Sequence, residues 1–98
     1  MNIKAIVENE TAILSPMEKI DFVSAPEFEK VIEEYAEKAD SMVIDMAMVD
    51  YISSAGLRAI LFADNLMSEK KGLVLKNVDT GVKDILDISG FSRELKIE

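Results

Sequence analysis

Met42-Val43-Ile44-Asp45-Met46-Ala47-Met48-Val49-Asp50-Tyr51-Ile52-Ser53-Ser54-Ala55-Gly56-Leu57 is the stretch that decides the fold. Its first five residues form a short apolar run of the kind found in a strand covered on both faces. After Tyr51-Ile52 the period changes. Leu57, Ile60, Leu61, Leu66 and Met67 mark an amphipathic helix that ends near Gly72. A buried strand thus leads through a loop into a helix that begins with small residues.

Upstream, Ile3, Ala5 and Val7 alternate with polar residues, which suits a half-buried strand. Asn9-Glu10 reads as a tight turn, because Asn tolerates the left-handed conformation. A second strand then runs through Ala12, Ile13 and Leu14 towards Ile20. Pro16 cannot donate to a sheet ladder, so this strand is expected at an edge or bulged. Ser24 followed by Glu27 reads as a capping box, with Pro26 in the first helical turn. Phe28, Val31, Ile32, Tyr35, Ala36 and Ala39 then recur at spacings of three and four, and charged residues fill the other side.

Downstream, Leu73-Val74-Leu75 reads as another buried strand. Asp79 caps a last helix with Val82, Ile85 and Leu86 inward and Gly90 just past its end. Glu94 to Ile97 closes the chain as a short strand or extended tail. The order β-β-α-β-α-β-α, with a final β, predicts an α/β fold with a mostly parallel sheet and an N-terminal hairpin.

The chain has 98 residues, which fits a single domain over 1–98. It is 49% hydrophobic and 31% charged, the balance of a soluble globular domain rather than a disordered one. No cysteine means no disulfide framework and no thiolate chemistry. No histidine removes the commonest general base and the commonest metal ligand. No stretch has the pattern of a signal peptide or the length of a membrane span, so a cytoplasmic location is expected. The 19 acidic against 11 basic residues give a net charge of −8, which disfavours nucleic acid and anionic membranes and favours a partner with a basic face.

Ser53 and Ser54 admit two readings. Either can cap the helix by accepting its first N–H groups. Equally, a phosphate on either would sit in the favourable field of a helix N-terminus, and the small Ala55 and Gly56 would leave it open to a kinase. Asp45 with Asp21, or Asp45 with Asp50, forms at most a weak carboxylate pair for metal or acid–base work. No Walker pattern is present. The six methionines are either core fillers or an adaptable docking surface. These features point away from an enzyme and imply no cofactor.

The run Val43-Ile44-Asp45-Met46 followed by Tyr51-Ile52-Ser53-Ser54-Ala55-Gly56-Leu57 resembles the signature of STAS domains, particularly bacterial anti-sigma factor antagonists. The resemblance extends to Ile20-Asp21, to Leu73-Val74-Leu75 with Lys76-Asn77, and to the closing helix. It implies a STAS-like fold with helices mainly on one face of the sheet. It also implies an anti-sigma factor partner with serine kinase activity, a serine phosphatase, and phosphorylation at Ser54, with Ser53 as the alternative. Asp21, Ser53, Ser54, Ala55, Gly56, Leu57 and Arg58 are the implied partner-binding positions. Ser53 stands where the family often has Asp, and Glu18 where it often has Gly. STAS-like domains also serve as unphosphorylated subunits of signalling or transport assemblies, which is the alternative role.

Overall fold

Asn9 and Glu10 both take positive φ, 51° and 65°, as a two-residue type I′ turn requires. The turn folds β1 (Ile3–Glu8) antiparallel onto β2 (Thr11–Pro16). The computed structural model describes residues 1–98. Beyond the hairpin come α1 (Ala25–Ala36), β3 (Ser41–Asp45), α2 (Ser54–Met67), β4 (Leu73–Lys76) and α3 (Thr80–Ile88). A 3₁₀ turn at Phe91–Arg93 leads into the two-residue β5 (Lys96–Ile97).

The strands lie in sequence order, β1-β2-β3-β4-β5, and each from β2 onward runs parallel to the next. Right-handed crossovers that all step the same way place every helix on one face. Burial agrees. Ala12, Leu14, Met42, Ile44, Leu73 and Leu75 join Phe28 and Ile32 of α1, Ile60 and Met67 of α2, and Val82 and Leu86 of α3 in one core. Ile13, Val43 and Val74 point the other way and stay partly exposed.

Several sequence expectations need correction. Met42–Met46 was expected to be covered on both faces, yet β3 alternates buried and half-buried positions. An apolar run has no parity, so it cannot tell a two-sided strand from a one-sided one. β2 is neither at an edge nor bulged. Its pairing with β3 ends at Leu14, opposite Ile44, so the missing N–H of Pro16 removes no bond on that side. β2 also stops at Pro16, and Ile20 instead makes an isolated parallel bridge to Ile52.

The Ser24–Glu27 capping box does not form. Ser24 is already in the right-handed helical region and its side chain caps nothing. Asp21 starts the turn instead, its Oδ1 accepting from the N–H groups of Val23 and Ser24, each at 3.0 Å. The Ser24 hydroxyl, nearly buried, donates to the Lys19 carbonyl at 3.1 Å and accepts from the Asp21 N–H at 3.1 Å. Glu27 is held by the Met1 amino group. Lys70 serves a helix other than its own: its Nζ donates to the carbonyls of Ala36 and Ala39 where α1 ends. The Asp79 cap forms as expected, accepting from the Gly81 N–H at 2.9 Å.

The one-sided core has a direct test in urea unfolding. Ile44→Ala is expected to cost about 2–5 kcal/mol. Val43→Thr, one residue away on the uncovered face, is expected to cost less than about 1 kcal/mol. Equal losses would contradict a single buried face.

Candidate functional site

The loop from β3 to α2 is tied down by a neighbouring segment rather than by a strand of its own. Ile20 N–H donates to the Tyr51 carbonyl at 3.1 Å, and Ser53 N–H donates to the Ile20 carbonyl at 2.9 Å. This short parallel clasp fixes where α2 starts. Gly56 then lies against the same carbonyl: a Cβ there would sit 2.5 Å from the Ile20 oxygen. No side chain fits that gap. The glycine is needed for close backbone approach, not for openness to a visiting enzyme.

The two serines divide their roles. Ser53, half-buried and extended, is the N-cap, and its Oγ accepts from the Gly56 N–H at 3.4 Å. Ser54 is the first helical residue, exposed, and its hydroxyl makes no hydrogen bond within the chain. No acidic residue stands in the first turn of α2. The free N–H groups there keep their partial positive charge unopposed from within that turn. Arg58, one turn on and exposed, makes no ion pair. At i and i+4 it shares a helix face with Ser54, and helical side chains lean towards the N-terminus. Ala55 is half-buried, while Gly56 and Leu57 are buried and so set the helix position rather than face solvent.

Asp21 follows Ile20 directly, so the clasp also carries it to this region. Its backbone hydrogen bonds, first from Ser24 and also from Val23, hold its carboxyl below the usual carboxylate range, and Lys19 adds to the effect. The turn that Asp21 organises pushes Phe22 and Val23 into solvent, 77% and 72% exposed. Met48 and Tyr51, from the loop before α2, are exposed too. Sequence reading missed this apolar rim. The available signal was Phe22-Val23 itself, two large apolar residues that fit neither the strand period before them nor the helix period after.

Of the methionines between 42 and 67, Met42, Met46 and Met67 are core fillers and Met48 alone faces out. Asp45 is engaged by its own turn and by Asn77. Its Oδ1 accepts from the Ala47 N–H and from Asn77 Nδ2, both at 3.0 Å. No group of three or more Asp or Glu side chains is placed to hold a metal ion. A groove of ≈ 280 Å³ lies elsewhere, between the far ends of α1 and α2, lined by Glu33, Ala36, Glu37, Leu66 and Lys70. No helix is long and apolar enough to cross a membrane.

A family model described as STAS domain matches residues 2–98. The chain belongs to the STAS domain family. Its sequence is 34% identical over 74 residues to BtrV of Bordetella bronchiseptica, assigned as a candidate anti-sigma factor antagonist. That match covers 74% of this chain and 64% of BtrV, so it spans less than two thirds of the relative. Among solved structures, a candidate anti-sigma factor antagonist of Thermotoga maritima superposes with a TM-score of 0.88 at 22% identity, covering 97% of this chain and 84% of its own. The Bacillus cell fate determinant SpoIIAA, solved in its phosphorylated form, gives 0.76 at 13% identity, with coverage of 99% and 91%. These structures share the STAS fold described above.

Two measurements probe how this STAS domain holds its site. Gly56→Ala improves intrinsic helix propensity but is expected to destabilise by about 1–3 kcal/mol, because the clasp must open to admit a methyl group. A neutral or stabilising result in urea unfolding would remove the close approach from the account. Asp21→Asn tests the carboxylate. A group whose pKa is lowered by folding adds stability above its unfolded value, near 3.9 for Asp, and loses it as pH falls through the folded value. The stability gap between wild type and Asp21→Asn is therefore expected to be constant above about pH 5 and to close in stronger acid. A gap that stays the same down to about pH 2 would contradict it.

Proposed function

We propose that the chain is an anti-sigma factor antagonist that binds an anti-sigma factor with serine kinase activity and is released when that kinase phosphorylates Ser54. A serine phosphatase then restores the binding form, and the cycle sets sigma-factor availability and hence transcription. The proposal places this exchange in the cytoplasm, between proteins, with no direct contact to nucleic acid or membrane.

The observation that carries the reading is the exposed, uncommitted hydroxyl of Ser54 beside an exposed apolar rim. In the free domain a phosphate at this position gains about 0.3–2 kcal/mol from the helix end, so modification leaves the fold intact. In a complex the setting differs. A partner seated on Phe22, Val23, Met48 and Tyr51 removes water from the surface around Ser54. A group of roughly −1.5 to −2 charges then loses its hydration against apolar side chains. Turning a 99:1 bound population into 1:99 takes about 5.5 kcal/mol of differential affinity. Burial of an unmatched dianion is of that order.

The excess of acidic residues, net −8, suits a partner with a basic face and hastens encounter with it. The similarity to BtrV supports the same partner class. A second reading, a constitutive assembly module, is favoured by the same apolar rim, which a docked protein would cover with or without a switch.

Binding to the cognate ATP-binding anti-sigma protein separates the two. The switch predicts that Ser54→Ala binds like wild type and resists release by ATP. Ser54→Asp is expected to bind at least about tenfold more weakly while unfolding at nearly the same urea concentration. Unchanged binding by Ser54→Asp, together with ATP-insensitive binding by wild type, would establish the assembly module instead.

A further inference from the structure

The face of the sheet opposite the helices is unused by everything described so far. Four of the five strands are parallel, and parallel sheets are almost always covered on both faces. Here the second face is bare. The strand register gathers its apolar residues into a single row: Ile6 stands opposite Ile13, Ile13 beside Val43, and Val43 beside Val74. None of the four packs against the core, and Ile6 is 52% exposed. Charge flanks the row unevenly along β1. Lys4, level with Ser15, lies at the end of the sheet from which α2 departs, and Glu8, level with Thr11, lies at the opposite end. Thr11 and Ser41 complete that second end with hydroxyls 2.7 Å apart.

We propose that this face is the interface of a homodimer, in which two copies pack sheet to sheet about a two-fold axis running along the Ile6–Ile13–Val43–Val74 row. Charge complementarity favours this arrangement. A rotation about that axis reverses each strand over its own counterpart. The four apolar residues then meet their equivalents, and Lys4 faces Glu8 of the partner subunit, twice by symmetry. The competing face-to-face arrangement, with the axis parallel to the strands and centred on the same residues, opposes Lys4 to Lys76 of the partner subunit, also twice. Like charges directly opposed disfavour it. Lys96, level with Val74 at the β5 edge, stands on the axis and meets its own counterpart, one like-charge pair against the two Lys4–Glu8 pairs, and Glu98 lies 4.0 Å from its ammonium group.

Strand spacing and rise give a footprint of roughly 24 Å by 20 Å, so on the order of 1,000 Å² is covered over both copies. That is the lower end of specific interfaces and makes the dimer weak and reversible. The row lies on the opposite side of the sheet from the helices, so this interface is independent of any modification of Ser54.

Sedimentation equilibrium of the whole chain, from roughly 10 µM to 1 mM at about 0.15 M salt, tests it; that salt screens the repulsion between two acidic copies beyond about 8 Å. Wild type is expected to pass reversibly from monomer to dimer. Lys4→Glu, which sets acid against acid at both symmetric positions, is expected to raise the dissociation constant about tenfold. The double exchange Lys4→Glu with Glu8→Lys restores opposite charges and is expected to return it to within about threefold of wild type. Ile6→Lys, at an exposed position outside the core, also weakens association, and urea unfolding checks that each variant is folded. A wild type that stays monomeric throughout overturns the proposal and leaves the face to some other partner. So does a dimer indifferent to Lys4→Glu and Ile6→Lys, or a double variant as weak as the single one.

Discussion

One carbonyl oxygen, that of Ile20, organises the candidate site. It accepts the Ser53 N–H, and it stands where a side chain on residue 56 would have to go. Because residue 56 is glycine, the first turn of α2 can close against it. Three consequences follow from that approach. Ser53 is fixed as the cap, Ser54 is left as the first helical residue with a free hydroxyl, and Asp21 is brought to the same end of the sheet. A larger residue at position 56 would move all three together, although it touches none of the exposed surface.

The sheet topology decides what surrounds this clasp. β2 and β3 run parallel, so the loops leaving their C-terminal ends gather at one end of the sheet. The turn at Asp21 and the loop at Met48–Tyr51 belong to that set. Their hydrogen-bonding needs are met internally: Asp21 and Asp45 each accept N–H groups of their own turns, and no buried side-chain polar atom lacks a partner. The apolar residues there have no such satisfaction. Phe22, Val23, Met48 and Tyr51 remain exposed on a rigid frame, an arrangement typical of surfaces that bind proteins.

Much of the fold was legible because its signals are local. The Asn9-Glu10 turn, the amphipathic α1, the Asp79 cap and the change of period after Ile52 each rest on residues close in sequence. The misreadings share the opposite character. Whether Met42–Met46 is covered on one face or two depends on which side the helices take, which no single strand encodes. Pro16 looked like an edge marker because the length of β3 beside it was unknown. Ser24 had the sequence of a capping box, but Asp21 three residues earlier captured the turn. In the site, Ser53 and Ser54 were placed at the right helix start, but their roles were separated only by backbone geometry. Gly56 was marked for the wrong reason, since its neighbour Ile20 is distant in sequence.

The central claim is that capping engages one serine and leaves the adjacent one for chemistry. Fragmentation mass spectrometry of the protein after incubation with the proposed anti-sigma kinase and ATP addresses it most directly. A single phosphate on Ser54, with Ser53 unmodified, is the predicted result. A phosphate on Ser53, or none on either serine, would contradict the account.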